Sequence, residues 1–165
     1  MWKDRRGFSL IELIITIALI GILTGSAVVM IGHIRYADTK KVAEKIDIEL
    51  SNLRLATMSQ KEQKYLYIYL QTDGYYMNVL NKAPGVVDYE TELKGKGTRL
   101  CGTNVTISGT AGGAALSGNY IWIAYTKSGL FLELGGIDRA ESIEISGNGT
   151  YTIYLNGVSG RHYFK

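Results

Sequence analysis

RRGFSLIEL, residues 5–13, running on into LIITIALIGILTGSAVVMIG, residues 13–32, is the stretch that decides the fold. The longer run holds 20 residues without a charge. As a helix it is long enough to cross a bilayer core of about 30 Å. A secretory signal peptide also opens with basic residues and an apolar run, but its run is shorter and ends at a small-residue cut site among turn formers. Here the helical pattern continues beyond the run, so the segment reads as a retained anchor.

Glu12 stands at the head of this run, four residues after Phe8. A carboxylate costs roughly 2.5–3.5 kcal/mol at the centre of a bilayer, and less near an end. Two readings stay open on position alone. Glu12 can lie at headgroup level beside the positive helix N-terminus, or it can await a cationic partner.

Residues 5–13 closely resemble the processing motif of type IV pilin-like precursors, the pseudopilins of type II secretion included: basic residues, a glycine, a phenylalanine, and a glutamate at the fifth mature position. The resemblance implies a leader, residues 1–7, cut after Gly7 by a prepilin peptidase, and methylation of the new N-terminus at Phe8. Glycine suits such a site because it lets the backbone enter a protease extended. Cleavage frees an amine on Phe8, and Glu12 can pair with its own amine at i,i+4 spacing or with that of a neighbouring subunit. The resemblance implies that Glu12 guides assembly. It also implies an inner-membrane assembly platform, other pilin or pseudopilin subunits and membrane lipid as partners. The leader would lie in the cytoplasm and the C-terminal domain outside, as a single-pass membrane protein that then joins a filament at the cell surface. Basic residues flank the run on both sides, Lys3, Arg5 and Arg6 before it and Arg35, Lys40, Lys41 and Lys45 after it, so charge does not fix the orientation. Many pilins break this helix with a proline; the only proline here is Pro84. Gly21 and Gly25 form a G-x-x-x-G pair with Gly32 on a similar face, which fits close helix approach or ordinary glycine usage in membrane helices.

Beyond the anchor, residues 8–32, the helix is expected to continue over 33–59 as an amphipathic segment. Val42, Ile46, Leu50, Leu53 and Thr57 recur at spacings of three and four, a stripe made to dock on a sheet. Ile48 and Leu55 either widen it or face other subunits. From residue 60 to 165 the texture becomes short β runs with glycine-rich turns. YLYIYL (65–70) alternates leucine and isoleucine with tyrosine, and Asp73-Gly74 is expected to turn the chain into YYMNVL (75–80). Further strands are expected at 103–108, 119–125, 130–135, 141–146 and 150–156, with Asn148-Gly149 turning the last two. Residues 81–99 read as a loop and 109–118 as a flexible connection. The twelve tyrosines are expected to cover sheet faces and subunit contacts, with surface adhesion as a lesser use. The fold class is therefore α+β: a long N-terminal α-helix, transmembrane then amphipathic, packed on an antiparallel β-sheet domain, the pilin fold. The order of helix, hairpin and late strands also loosely resembles H-type pseudopilins and minor pilins, where a short C-terminal motif ends in Gly-Arg, as Gly160-Arg161 does here.

The net charge is +3, and much of it sits in the leader. Without Lys3, Arg5, Arg6 and Asp4 the balance is 15 basic against 14 acidic residues. A near-neutral body gives no general case for nucleic acid. A minor pilin binding DNA through a C-terminal basic tip of Arg161, His162 and Lys165 is the alternative function, with DNA an unlikely partner on this charge balance. The one cysteine, Cys101, permits no intrachain disulfide and reads as a small buried hydrophobe. No nucleotide loop, zinc pattern or serine–histidine–acid arrangement is suggested. No cofactor, metal or enzymatic activity is expected. Asp88, Glu90 and Glu92 form an acidic loop that reads as solvated charge or, as in some related pseudopilins, a calcium site. The expected role is a structural subunit, minor rather than major, of a type IV pilus or a type II secretion pseudopilus.

Overall fold

The computed structural model describes residues 9–59, 62–111, 114–115, 118–135 and 139–165, with the side chains of 25–37, 114–115 and 164 outside the description. The chain divides into two compact units, Met1–Arg35 and Tyr36–Lys165. Helix α1, Leu10–Ser59, has 50 residues and contributes to both.

In the first unit the described side chains of α1 are exposed on every side, with Leu10, Ile11, Leu13, Ile14, Ile17 and Leu19 all more than half exposed. Among the described residues no helix is long and apolar enough to cross a membrane. Only residues 13–24 of the uncharged run have described side chains; the rest of it, Gly25 and Gly32 included, lies outside them. A Cβ built on Gly21 meets nothing within 4 Å.

In the second unit α1 buries one stripe. Val42, Ile46, Leu50, Leu53 and Thr57 are buried, joined by Thr39 and Ala43. The spacing puts them on one face of a 3.6-residue helix, and that face is covered by two sheets rather than the one expected. The first sheet has the order β3-β2-β1-β6, with β1 Tyr65–Gln71, β2 Gly74–Leu80, β3 Thr98–Cys101 and β6 Tyr120–Ala124. The second has the order β5-β4-β7-β8-β9, with β4 Thr106–Ala111, β5 Ala114–Ala115, β7 Ser142–Ser146, β8 Thr150–Asn156 and β9 Arg161–Phe164. All of their described pairings are antiparallel. Leu66, Ile68, Ile121 and Ile123 of the first sheet meet Ile107, Ile143, Ile145, Ile153 and Leu155 of the second in one core with the helix stripe. Ile48 and Leu55 are 57% and 69% exposed, so they do not widen the docking stripe.

The tyrosines of β1 do not serve an open surface. Tyr65, Tyr67 and Tyr69 are buried in a second core on the opposite sheet face, with Trp122, Val87 and Leu93. The cover is the segment expected to be a plain loop. It contains a π-helical turn, Tyr89–Leu93, whose Asp88 cap accepts the Glu90 N–H at 3.2 Å. The buried phenols remain satisfied: Tyr67 donates to the Lys82 carbonyl and Tyr69 to the Lys96 carbonyl, each at 2.7 Å. Burial pushes the Tyr69 hydroxyl up to about 12, which keeps it a donor at any physiological pH.

Several strand expectations shift. The β1–β2 hairpin closes on the Gln71↔Gly74 pair, so Thr72 and Asp73 are its turn residues and Gly74 opens β2. β4 begins at Thr106, because 102–105 is spent turning away from β3. It then runs into the stretch expected to be a flexible connection, where β5 pairs with it. Residues 130–135 form no strand. A tight turn, with Gly129 N–H on the Thr126 carbonyl at 2.9 Å, returns the chain beside the end of β6, where Tyr125 and Phe131 form a bridge, Thr126 N–H donates to the Leu130 carbonyl at 2.7 Å and Leu132 N–H to the Ala124 carbonyl at 2.9 Å. β9 was not expected at all.

Candidate functional site

The processing junction, Gly7 and Phe8, lies outside the described residues. The structure takes up the motif at Ser9, which caps α1. Ser9 Oγ accepts the Ile11 N–H at 3.4 Å, and Glu12 reaches back so that its Oε2 accepts the Ser9 N–H at 3.0 Å. This is a capping box, a serine and a glutamate three residues on satisfying orphan donors at the helix start. The S-x-x-E spacing was on view in the sequence. It was overshadowed there by the spacing from Phe8 to Glu12. Glu12 is exposed and the carboxylate lies in the first turn, where the helix dipole favours it.

The C-terminal basic tip is not one surface. Arg161 and Lys165 are exposed, but the His162 side chain is only 10% exposed and turns inward under α1. Its Nε2 lies 3.3 Å from Asp47 Oδ1 and 3.3 Å from Ser51 Oγ, while its Nδ1 lies 3.1 Å from the Tyr125 hydroxyl. Burial pushes the Tyr125 phenol well above its ordinary value, so the hydroxyl beside Nδ1 keeps its proton. A carboxylate only accepts, so the Asp47 oxygen beside Nε2 favours a ring proton there, with Ser51 on the same nitrogen. The tip therefore loses its middle member: His162 clasps β9 to α1 and to Tyr125, the residue just after β6.

A serine, a histidine and an aspartate do meet here, which sequence reasoning missed. The available signal was Asp47 and Ser51, one helical turn apart. The geometry is not that of an acyl-transfer triad. Such a triad needs the carboxylate on one ring nitrogen and the serine on the other. Here both approach Nε2 and a phenol occupies Nδ1, so no nitrogen is free to take a serine proton while the acid orients the ring. Replacing His162 by alanine is expected to cost about 1–3 kcal/mol of stability, because it leaves the buried Tyr125 hydroxyl unpartnered. Urea unfolding would measure it, and a change below about 0.5 kcal/mol, the range of ordinary surface substitutions, would refute the clasp.

Gly160, ahead of Arg161, has a backbone role. Its φ is +62°, and a Cβ there would lie 1.9 Å from the Gly129 carbonyl oxygen. The acidic loop is also internally engaged. Asp88 caps the π-helical turn and accepts the Thr91 hydroxyl at 3.1 Å, Glu90 pairs with Lys94 at 2.6 Å, and Glu92 pairs with Lys82. Among the described residues no group of three or more histidine, cysteine or acidic side chains is placed to hold a metal ion. Burial raises the Cys101 thiol, which disfavours the thiolate.

Comparison with known proteins adds the N-terminus. A model of the prokaryotic N-terminal methylation motif matches residues 2–28. Searches of curated proteins and of solved structures each return no match. The match spans Gly7, Phe8 and Glu12, and the helix and antiparallel sheets that follow fit a pilin-like architecture. The chain carries the prokaryotic N-terminal methylation motif at residues 2–28 on an α+β fold, a combination consistent with a prepilin-type precursor.

Proposed function

We propose that this chain is cut between Gly7 and Phe8 by a prepilin peptidase, methylated on the Phe8 amine, and polymerised as a minor subunit of a type IV pilus or a type II secretion pseudopilus. The match of residues 2–28 to the methylation motif carries the reading. The apolar helix beyond the junction supports a membrane-anchored N-terminus, with the leader cytoplasmic and the sheet domain outside. An inner-membrane assembly platform and the lipid bilayer are its further partners. The role is structural rather than enzymatic, which the unsuited ring geometry of His162 supports. The sole cysteine leaves no disulfide-closed C-terminal loop of the kind many major pilins carry, and this favours a minor subunit.

N-terminal mass spectrometry of the mature chain tests the reading. The expected product begins at Phe8 and carries one added methyl group on its amine. A product beginning anywhere else overturns it. Uptake-linked DNA binding through the tip has no supporting observation, since His162 is turned into the fold.

A further inference from the structure

Between α1 and the first sheet lies a cavity of about 360 Å³, lined by Asp38, Lys41, Val42 and Lys45 of the helix and by Arg99, Leu100, Cys101, Gly102 and Asn104 of β3 and the turn after it. It falls within the size range of small-molecule sites. Its chemistry is one-sided. Three cations and one carboxylate line it, and among the described residues neither Lys41 nor Lys45 is paired with an acid, whereas their neighbour Lys40 pairs with Glu44 at 3.7 Å. Arg99 is oriented by Asp73: its guanidinium donates to the Asp73 carbonyl at 2.6 Å, and its Nε lies 3.6 Å from the Asp73 carboxylate, an exposed pair that leaves the rest of the guanidinium fork available. Two ammonium groups one helical turn apart repel each other, and the single Asp38 carboxylate in the lining does not balance Lys41 and Lys45 together. The remaining wall is apolar, from Val42 and Leu100, which suits the carbon part of a ligand.

We propose that this cavity binds a small organic phosphate, with Lys41, Lys45 and Arg99 on the phosphate oxygens and Val42 and Leu100 against the carbon skeleton. Guanidinium and ammonium groups together match a phosphate with several oxygens better than they match a single carboxylate. The phosphate can belong to a soluble phosphomonoester or to an anionic lipid headgroup, and the test below separates the two. The site is independent of the processing junction, so a wrong N-terminus would leave it standing.

Cys101 is the chain's only cysteine and lines the cavity, so its thiol reports on occupancy. The fields of Arg99 and Lys45 reach it, each drawing the thiol down against the dominant effect of burial. The experiment uses the full chain in micelles of a neutral detergent. Cys101 is titrated with 5,5′-dithiobis(2-nitrobenzoate), a dianion, and with neutral 2,2′-dithiodipyridine. The wild-type chain is expected to favour the dianion, and K41Q/K45Q to lower the ratio of the two rates about fivefold or more, the lower end of electrostatic steering. K40Q is expected to leave it unchanged, and near-UV circular dichroism confirms that each variant is folded. Millimolar glycerol 3-phosphate is expected to slow the neutral reagent in wild type and not in K41Q/K45Q, which identifies a soluble phosphate. Protection by dihexanoyl phosphatidylglycerol, but neither by glycerol 3-phosphate nor by the phosphatidylcholine analogue, identifies a headgroup. An unaltered rate ratio in K41Q/K45Q, or no protection by either phosphate, overturns the proposal.

Discussion

Gly160→Ala is expected to destabilise the sheet domain by about 3 kcal/mol or more, a large share of the roughly 5–15 kcal/mol that holds a typical domain together. Two costs combine. An alanine at φ +62° is strained by about 1–2 kcal/mol. Its Cβ would also lie 1.9 Å from the Gly129 carbonyl oxygen and 2.8 Å from the Leu130 Cα, and backbone atoms cannot rotate away as a side-chain tip can. The turn has little freedom to yield. Asn156 accepts the Gly160 N–H on its carbonyl at 2.9 Å, and its side chain accepts the N–H groups of Val158 and Ser159 at 3.1 and 3.0 Å. Gly95→Ala provides the control. Gly95 has φ +73° but open space around its Cβ, so alanine there carries the strain alone. Urea midpoints of the two variants separate strain from collision. If Gly160→Ala costs no more than Gly95→Ala, the Gly129 contact is not what requires glycine. A collision of this size would also misplace β9 and with it His162, so the Gly160-Arg161 pair is explained by folding before any binding role is invoked.

The sequence was most legible where one period and one buried face coincide. Val42, Ile46, Leu50, Leu53 and Thr57 announce their face because the exposed Lys41, Lys45 and Asn52 fall on other sides of α1, and all five are buried as the stripe requires. The hairpins were legible too, since Asp73 and the Asn148-Gly149 pair break strands that alternate; Ser146 pairs with Thr150 across the second turn. Alternation misled where both faces of a strand are covered. Tyr65, Tyr67 and Tyr69 look like a surface row, yet a tyrosine buries its ring as readily as a phenylalanine once a carbonyl takes its hydroxyl, and the carbonyls of Lys82 and Lys96 do so for two of them. Those carbonyls belong to the segment that covers the row, and a five-residue π-helical turn has no period long enough to read. β9 escaped notice because RHYF is a short edge strand with a charge and a histidine in it.

The functional residues divide along the same line. Gly7, Phe8 and Glu12 could be read together because they stand in order on one stretch of chain, the stretch that the methylation-motif match spans. The partners of His162 were not, since Asp47 and Ser51 lie more than a hundred residues away and meet it only once β9 pairs with β8 and α1 docks on the sheets. The cavity between α1 and β3 was equally hidden: its cations are ordinary surface residues until the fold gathers them.

Glu12→Ala and Glu12→Gln together decide what the carboxylate does, and each is expected to be cleaved at Gly7 yet to enter filaments more than about tenfold less than wild type. In the uncleaved chain Glu12 accepts the Ser9 N–H at 3.0 Å, so it already has a partner before any amine is freed. A glutamine keeps that acceptor and serves a capping box as well as glutamate does. It lacks the charge. If capping were the whole role, Glu12→Gln would assemble normally, and only Glu12→Ala would fall short, by no more than the roughly 0.5–2 kcal/mol of a lost cap. If the role is to meet the methylated Phe8 amine of the same or a neighbouring subunit, both variants lose an ion pair worth about 4 kcal/mol at an effective dielectric of 20, and both fail alike. Cleavage and incorporation are read separately, by mass of the product and by its share of sheared filaments. Normal assembly of Glu12→Gln would assign Glu12 to the helix start alone. Failure of both with intact cleavage would show that the freed amine takes over from the Ser9 amide as the partner on which assembly depends.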